Sequence, residues 1–202
     1  MSLLVAMSLF ALSMSVSPGP VNLVTFSSGL NYGFLPSLPF VAGAASGFTL
    51  LLVVVGLGLG EIIALNPLLM QVLAYSGSAF ICYLGYKIAI ADPQLPVAPE
   101  SRPHFFQGAL LQWLNPKAWI ASLAGVSAFE ATLDNGLIVF ASLYLVICFC
   151  SVCVWAYAGA RISDLLRGRN TLQRCNRAMG GLLIIVAVYL LYLHMEAHSS
   201  AG

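Results

Sequence analysis

The stretch LSMSVSPGPVNLVTF, residues 12–26, places Pro18, Gly19 and Pro20 inside an apolar run that is otherwise long enough to be a membrane helix. A helix in hydrocarbon must pair its backbone N–H and C=O groups internally, since no water is present to replace them. Pro18 and Pro20 each remove a donor and clash with the preceding turn, and Gly19 has no side chain to favour the helix. The stretch therefore predicts a span broken near its middle. Irregular backbone at that depth survives only where protein or a wet cavity covers it.

The rest of the chain requires a membrane. Of its 202 residues 60% are hydrophobic and only 7% charged, with a mean hydropathy of +0.93, whereas soluble domains carry about 25% charged residues. A net charge of +1 gives no electrostatic case for nucleic acid. The five cysteines lie mostly in apolar runs and read as small apolar side chains, not as a disulfide framework. Residues 1–17 contain no Lys or Arg, so the first run reads as a span and not as a signal peptide.

Spanning takes about 20 apolar residues, and six runs approach or exceed that length: 3–28, 38–59, 68–91, 108–129, 136–160 and 176–193. Lys87, Arg102, Arg161, Arg167, Arg169, Arg174 and Arg177 all fall at the connections after spans three and five, on the side of the uncharged loop 29–37. Glu61, Glu130, Asp134 and Glu196 fall on the other side, which has no Lys or Arg. Short basic loops stay in the cytoplasm, so this pattern predicts both termini outside it, in a multi-pass protein of the cell (inner) membrane.

The segment DPQLPVAPESRP holds four of the ten prolines and cannot continue a helix. It divides the chain into a first three-helix repeat (1–91), a cytoplasmic linker (92–107) and a second three-helix repeat (108–202). Three spans per half is odd, so the second half enters the membrane inverted. The predicted fold is all-α, six transmembrane helices in two inverted repeats, with helices 1 and 4 broken. Pro18 and Pro116 align at an offset of 98 residues, Gly77 and Gly180 at 103, and Tyr86 and Tyr189 also at 103.

The second break is LNPKAW, where Asn115, Pro116 and Lys117 fall at the middle of span four. Paired interruptions at matching places in two halves point to a transporter binding site. Lys117 is about 13 Å from the start of its span at about 1.5 Å per residue, near the midplane of a core about 30 Å thick. A charged lysine there costs at least about 2.5–3.5 kcal/mol, and no Asp or Glu lies at comparable depth. It reads as a charge for a substrate carboxylate or as a lysine that exchanges protons. Asn22 and Asn115 offer uncharged donors and acceptors, the half-helix from Pro20 offers a positive N-terminal end, and carbonyls freed before Pro18 and Pro116 suit an ammonium. Opposite charges on one small ligand fit such a site, and an amino acid is the candidate.

Gly43 and Gly47 in span two allow close helix approach, or leave room for a substrate path. Cys148, Cys150 and Cys153 do not converge on a helix, so no metal site is expected, and no cofactor. Trp155 and Tyr157 are expected as interfacial anchors. His104, His194 and His198 lie at span ends without ligand spacing.

SPGPVN, FVAGAASGF, GSAFICYLGYKI and QWLNPKAW together resemble the LysE/RhtB family of bacterial amino-acid exporters. Val21 stands between Pro20 and Asn22, where many members have asparagine directly after the second proline. The resemblance implies export of amino acids or their derivatives driven by the proton gradient, and it marks Pro18, Gly19, Pro20, Asn22, Asn115, Pro116 and Lys117. The expected function is a secondary transporter exporting small amino acids by proton antiport and alternating access. Its partners are the substrate, protons and the lipid bilayer; a homo-oligomer is left open. The rival functions are an intramembrane enzyme acting on a small metabolite, a passive channel and a membrane scaffold. Against the enzyme, the spans lack an acid, a base and an activated nucleophile.

Overall fold

A computed structural model describes residues 3–59, 66–91, 103–129, 135–165 and 168–199. The linker residues 92–102, together with Glu61, Glu130, Asp134 and Arg167, lie outside the described residues. Eight α-helices and no strand occur among the described residues: α1 Leu3–Val16, α2 Pro20–Tyr32, α3 Phe34–Val54, α4 Pro67–Ile90, α5 Phe105–Trp113, α6 Pro116–Phe129, α7 Gly136–Leu165 and α8 Arg169–Ser199. A π-helical turn, Val55–Leu59, extends α3, and Gly58 ends its regularity at φ 101°.

Four of these segments are long and apolar enough to cross a membrane: Phe34–Leu59, Gln71–Ile90, Gly136–Leu165 and Asn170–Leu193. The pair α1 and α2, bent by 60°, makes a fifth when taken as one broken span. The count is thus four to five where the sequence predicts six, because α5 and α6, with 9 and 14 residues, are each too short to cross alone.

Two connections are shorter than expected. The expected loop 29–37 is reduced to Gly33, since α2 continues to Tyr32 and α3 starts at Phe34. Gly33 reverses the chain at φ 85°, ψ 175°, a conformation open to glycine and strained for other residues. The basic connection after span five is also largely helical: α7 runs to Leu165 and α8 starts at Arg169, so Arg161, Arg174 and Arg177 sit on helices.

Glycines set how the helices meet. α2 lies along α7 with backbones in contact, since a Cβ on Gly29 would meet the Ala156 carbonyl and one on Gly159 the Phe26 carbonyl. α3 crosses α5 in the same way, Gly43 against the Phe105 carbonyl and Gly108 against the Phe40 carbonyl. α4 packs along α8 through Gly85 and Gly180, each facing the other's carbonyl, whereas Gly77 faces the Leu114 carbonyl. Without a hydrophobic driving force between helices in lipid, such close packing is what holds them.

α3 and α7 form the centre, burying Phe40, Phe48, Leu51, Phe140, Tyr144 and Val152. An aromatic column runs through it: Phe129 and Phe140 lie 5.0 Å apart, Phe140 and Tyr144 5.6 Å, and Tyr144 stacks on Phe48 at 4.2 Å. At the other end of α2, Asn31 and the fully buried Asn176 of α8 exchange amide hydrogen bonds of 2.9 and 2.7 Å. In the sequence Asn176 is legible only as the start of an apolar run.

Candidate functional site

The site forms where the two breaks face each other. α1 ends at Val16 and α2 restarts at Pro20, with Gly19 as its extended N-cap (φ −168°, ψ 177°) and Pro20 in the first turn, where its missing N–H costs nothing. The break strands the last carbonyls of α1. Side chains from elsewhere take them up: Asn22 Nδ2 donates to Ser15 O (2.9 Å) and Ser17 O (2.8 Å), and Trp155 Nε1 donates to Val16 O (3.2 Å). Trp155 therefore spends its N–H on the break and is not simply an interfacial anchor.

Lys117 completes this arrangement. Its Nζ donates to Ser17 O and to Ser17 Oγ, both at 2.8 Å, across 100 residues of sequence. The missing acidic partner is thus replaced by a backbone carbonyl and a hydroxyl that only the broken helix makes available. A Cβ on Gly19 would sit 3.2 Å from Nζ and 3.3 Å from Cδ, so the glycine leaves the slot in which the lysine lies.

The second break closes on itself. Asn115 Oδ1 accepts from Lys117 N (3.2 Å) as an N-cap, with Pro116 at the first position of α6. Trp119 Nε1 donates back to Trp113 O (2.7 Å), and Trp113 Nε1 donates to Gly47 O (3.1 Å).

Between the breaks lies a cavity of about 40 Å³, lined by Ser15, Gly19, Asn22, Gln112, Asn115 and Lys117 on its polar side and by Met14, Phe48, Tyr144, Cys148 and Val152 among others. That is space for about three waters at ~10–15 Å³ each. Ser15 is 7% exposed; its hydroxyl faces Tyr144 and the Cys148 thiol but closes no hydrogen bond of acceptable geometry.

Of the residues singled out by sequence, Gly19, Asn22, Asn115 and Lys117 meet around this cavity. Pro18 and Pro20 line a separate apolar pocket of about 360 Å³ against Leu182, Val186 and Leu190 of α8, which Gly19 and Lys117 also touch. Pro116 lines a different pocket with Trp113, Trp119 and Ile120, against Leu73 and Ala74 of α4 and Leu190 and Leu193 of α8. Gly43 and Gly47 face α5 at the helix crossing and do not line the central cavity, because a side chain there would meet Phe105 and Ala109 backbone. Ser15, Ser17, Phe48, Gln112 and Tyr144 escape sequence reasoning, since a lone Ser, Gln or aromatic in an apolar run carries no spacing signal.

A pair of broken helices joined by a lysine, around a cavity with no paired acid and base among the described residues, suits binding and release of a small ligand. The family model for LysE type translocators matches residues 12–194. The chain belongs to that family. It is accordingly a membrane transporter and not an enzyme. Similar proteins include the cysteine/O-acetylserine efflux proteins of Escherichia coli O139:H28 (strain E24377A / ETEC), Escherichia coli (strain K12) and Shigella sonnei (strain Ss046). Each is 28% identical over 196 residues, covering 95% of this chain and 98% of the relative. No solved structure matches the chain.

Proposed function

We propose that this LysE type translocator exports small neutral amino acids or their derivatives from the cytoplasm, by alternating access around the cavity between its two breaks. The single observation that carries the reading is the bond from Lys117, at the start of one half-helix, to Ser17, at the end of another. It joins the two interruptions at the place where a transported ligand would be held. The names of the relatives put cysteine and O-acetylserine first among the substrates to test, and the Phe48 and Tyr144 walls favour a small side chain.

In this reading α5 and α6 together form a sixth, broken span, and the two halves are inverted repeats. The reciprocal meeting of Gly85 with Gly180, one from the third span of each half, is consistent with it. The basic residues of the two connections favour both termini outside the cytoplasm in the inner membrane. Proton antiport is the drive we assign, and Lys117 is the charge we assign to the substrate's carboxylate; a channel would need no such lysine. Metabolite release from overproducing cells, screened across amino acids, tests the function. Lys117→Ala is expected to abolish release while the protein still inserts, and near-normal release from that variant removes the residue from the site.

A further inference from the structure

We propose that the acceptors Lys117 now occupies are the ammonium subsite of the transported amino acid: the substrate's α-ammonium displaces Lys117 from Ser17, and the freed lysine takes the substrate's carboxylate. This rests on the exporter reading above and names the chemical group that the site selects.

The acceptors are chemically apt. Ser17 O and Ser17 Oγ already hold one primary amine at 2.8 Å, with no carboxylate bonded to it among the described residues. A second primary ammonium makes the same bonds. Ser15, only 7% exposed and without a hydrogen-bond partner, lines the cavity that Lys117 also lines and offers an additional acceptor there.

The swap also answers a problem of charge. Among the described residues no Asp or Glu lines the cavity, so Lys117 is a half-buried amine held by dipoles alone. A ligand with only an amine would leave two cations together, and a ligand with only a carboxylate would leave Ser17 Oγ without the lysine's donation and Ser17 O with Asn22 as its remaining donor when the lysine turns away. A zwitterion satisfies both, since each charged end replaces a partner that the exchange removes. The exchange also opens space, which the cavity of about 40 Å³ otherwise lacks for an amino acid. Gly19 beside the lysine stem leaves the side chain room to move.

The test uses the purified full chain in proteoliposomes, with uptake of labelled amino acids including L-cysteine and O-acetyl-L-serine. Each transported amino acid is then competed with its 2-hydroxy acid and its N-acetyl form. The hydroxy and N-acetyl compounds are expected to compete at least about 10-fold more weakly, the worth of one hydrogen bond to a charged group. Ser17→Ala should raise the half-saturating concentration about 3- to 10-fold with the maximal rate little changed, and should narrow the discrimination against the hydroxy acid. Ser17→Thr, which keeps the hydroxyl, should restore both. Hydroxy acids that compete as well as the amino acids, or unchanged discrimination in Ser17→Ala, would overturn the ammonium subsite and leave export standing. Failure to transport any amino acid would overturn both readings.

Discussion

The two breaks solve the same problem by different means. At Asn115 the chain repairs itself within a few residues: Asn115 caps Lys117 N and Trp119 reaches back to Trp113 O. At Ser17 the stranded carbonyls depend in part on distant parts of the chain, Lys117 and Trp155, besides the nearby Asn22. A break that is locally satisfied keeps its shape when helices move. One that borrows its partners from other helices changes when they move, and so can report or drive a conformational change. In the proposed mechanism the first break is therefore the working one, and the second serves as the platform that aims its lysine.

Substitutions can break or sharpen that contrast. Lys117→Met should have the largest functional effect, a loss of export of about 100-fold or more, from the loss of charged hydrogen bonds. Its stability in detergent, read by a denaturation midpoint, should hardly fall, because an apolar side chain of similar length removes a half-buried charge and Ser17 O keeps its bond from Asn22. A steep fall in the midpoint would mean that the clasp is structural.

Asn22→Ala should come next. It strips a donor from both Ser15 O and Ser17 O, with a cost of about 1–3 kcal/mol for buried carbonyls left wanting. Asn22→Ser should not rescue, since a serine is too short to span both carbonyls.

At the other break, Asn115→Ala should cost about 0.5–2 kcal/mol of stability, and Asn115→Ser should restore most of it, because the N-cap bond to Lys117 N is what the side chain supplies to the fold there. Rescue by serine at residue 115 but not at residue 22 is the sharpest test of local against distant repair. Gly19→Ala should slow export several-fold with no loss of folding, since the extended backbone admits any residue and the nearest atoms the methyl meets are the Nζ and stem of the flexible Lys117. The smallest effect should come from Trp155→Phe, which removes one neutral hydrogen bond worth about 0.5–1.5 kcal/mol.

Much of this is legible from residue type. Pro20 and Pro116 each start a half-helix, as prolines at a first turn should, and the apolar runs locate the remaining helices to within a few residues at most ends. The loop after span one is shorter than its composition suggests, because one glycine at positive φ does the work assigned to nine residues. Gly43 and Gly47 are ambiguous between packing and passage in the sequence, and the crossing with α5 decides where they face. The roles of Trp155 and Asn176 are hidden there, because an indole or amide in an apolar run gives no hint of the distant carbonyl or amide it will meet.

By itself the sequence determined that this chain lives in a membrane and that it is interrupted twice, because burial of unpaired backbone in lipid is too costly to be accidental. It also determined that a lysine stands at the second interruption. Only the tertiary structure decided that this lysine reaches the first one, that Gly19, Asn22, Asn115 and Lys117 share a cavity while the three prolines face away from it, and that Ser15, Ser17 and Tyr144 belong with them. Backbone carbonyls have no letter in the sequence. Which of them is freed, and which side chain a hundred residues away takes it, depends on how the helices cross.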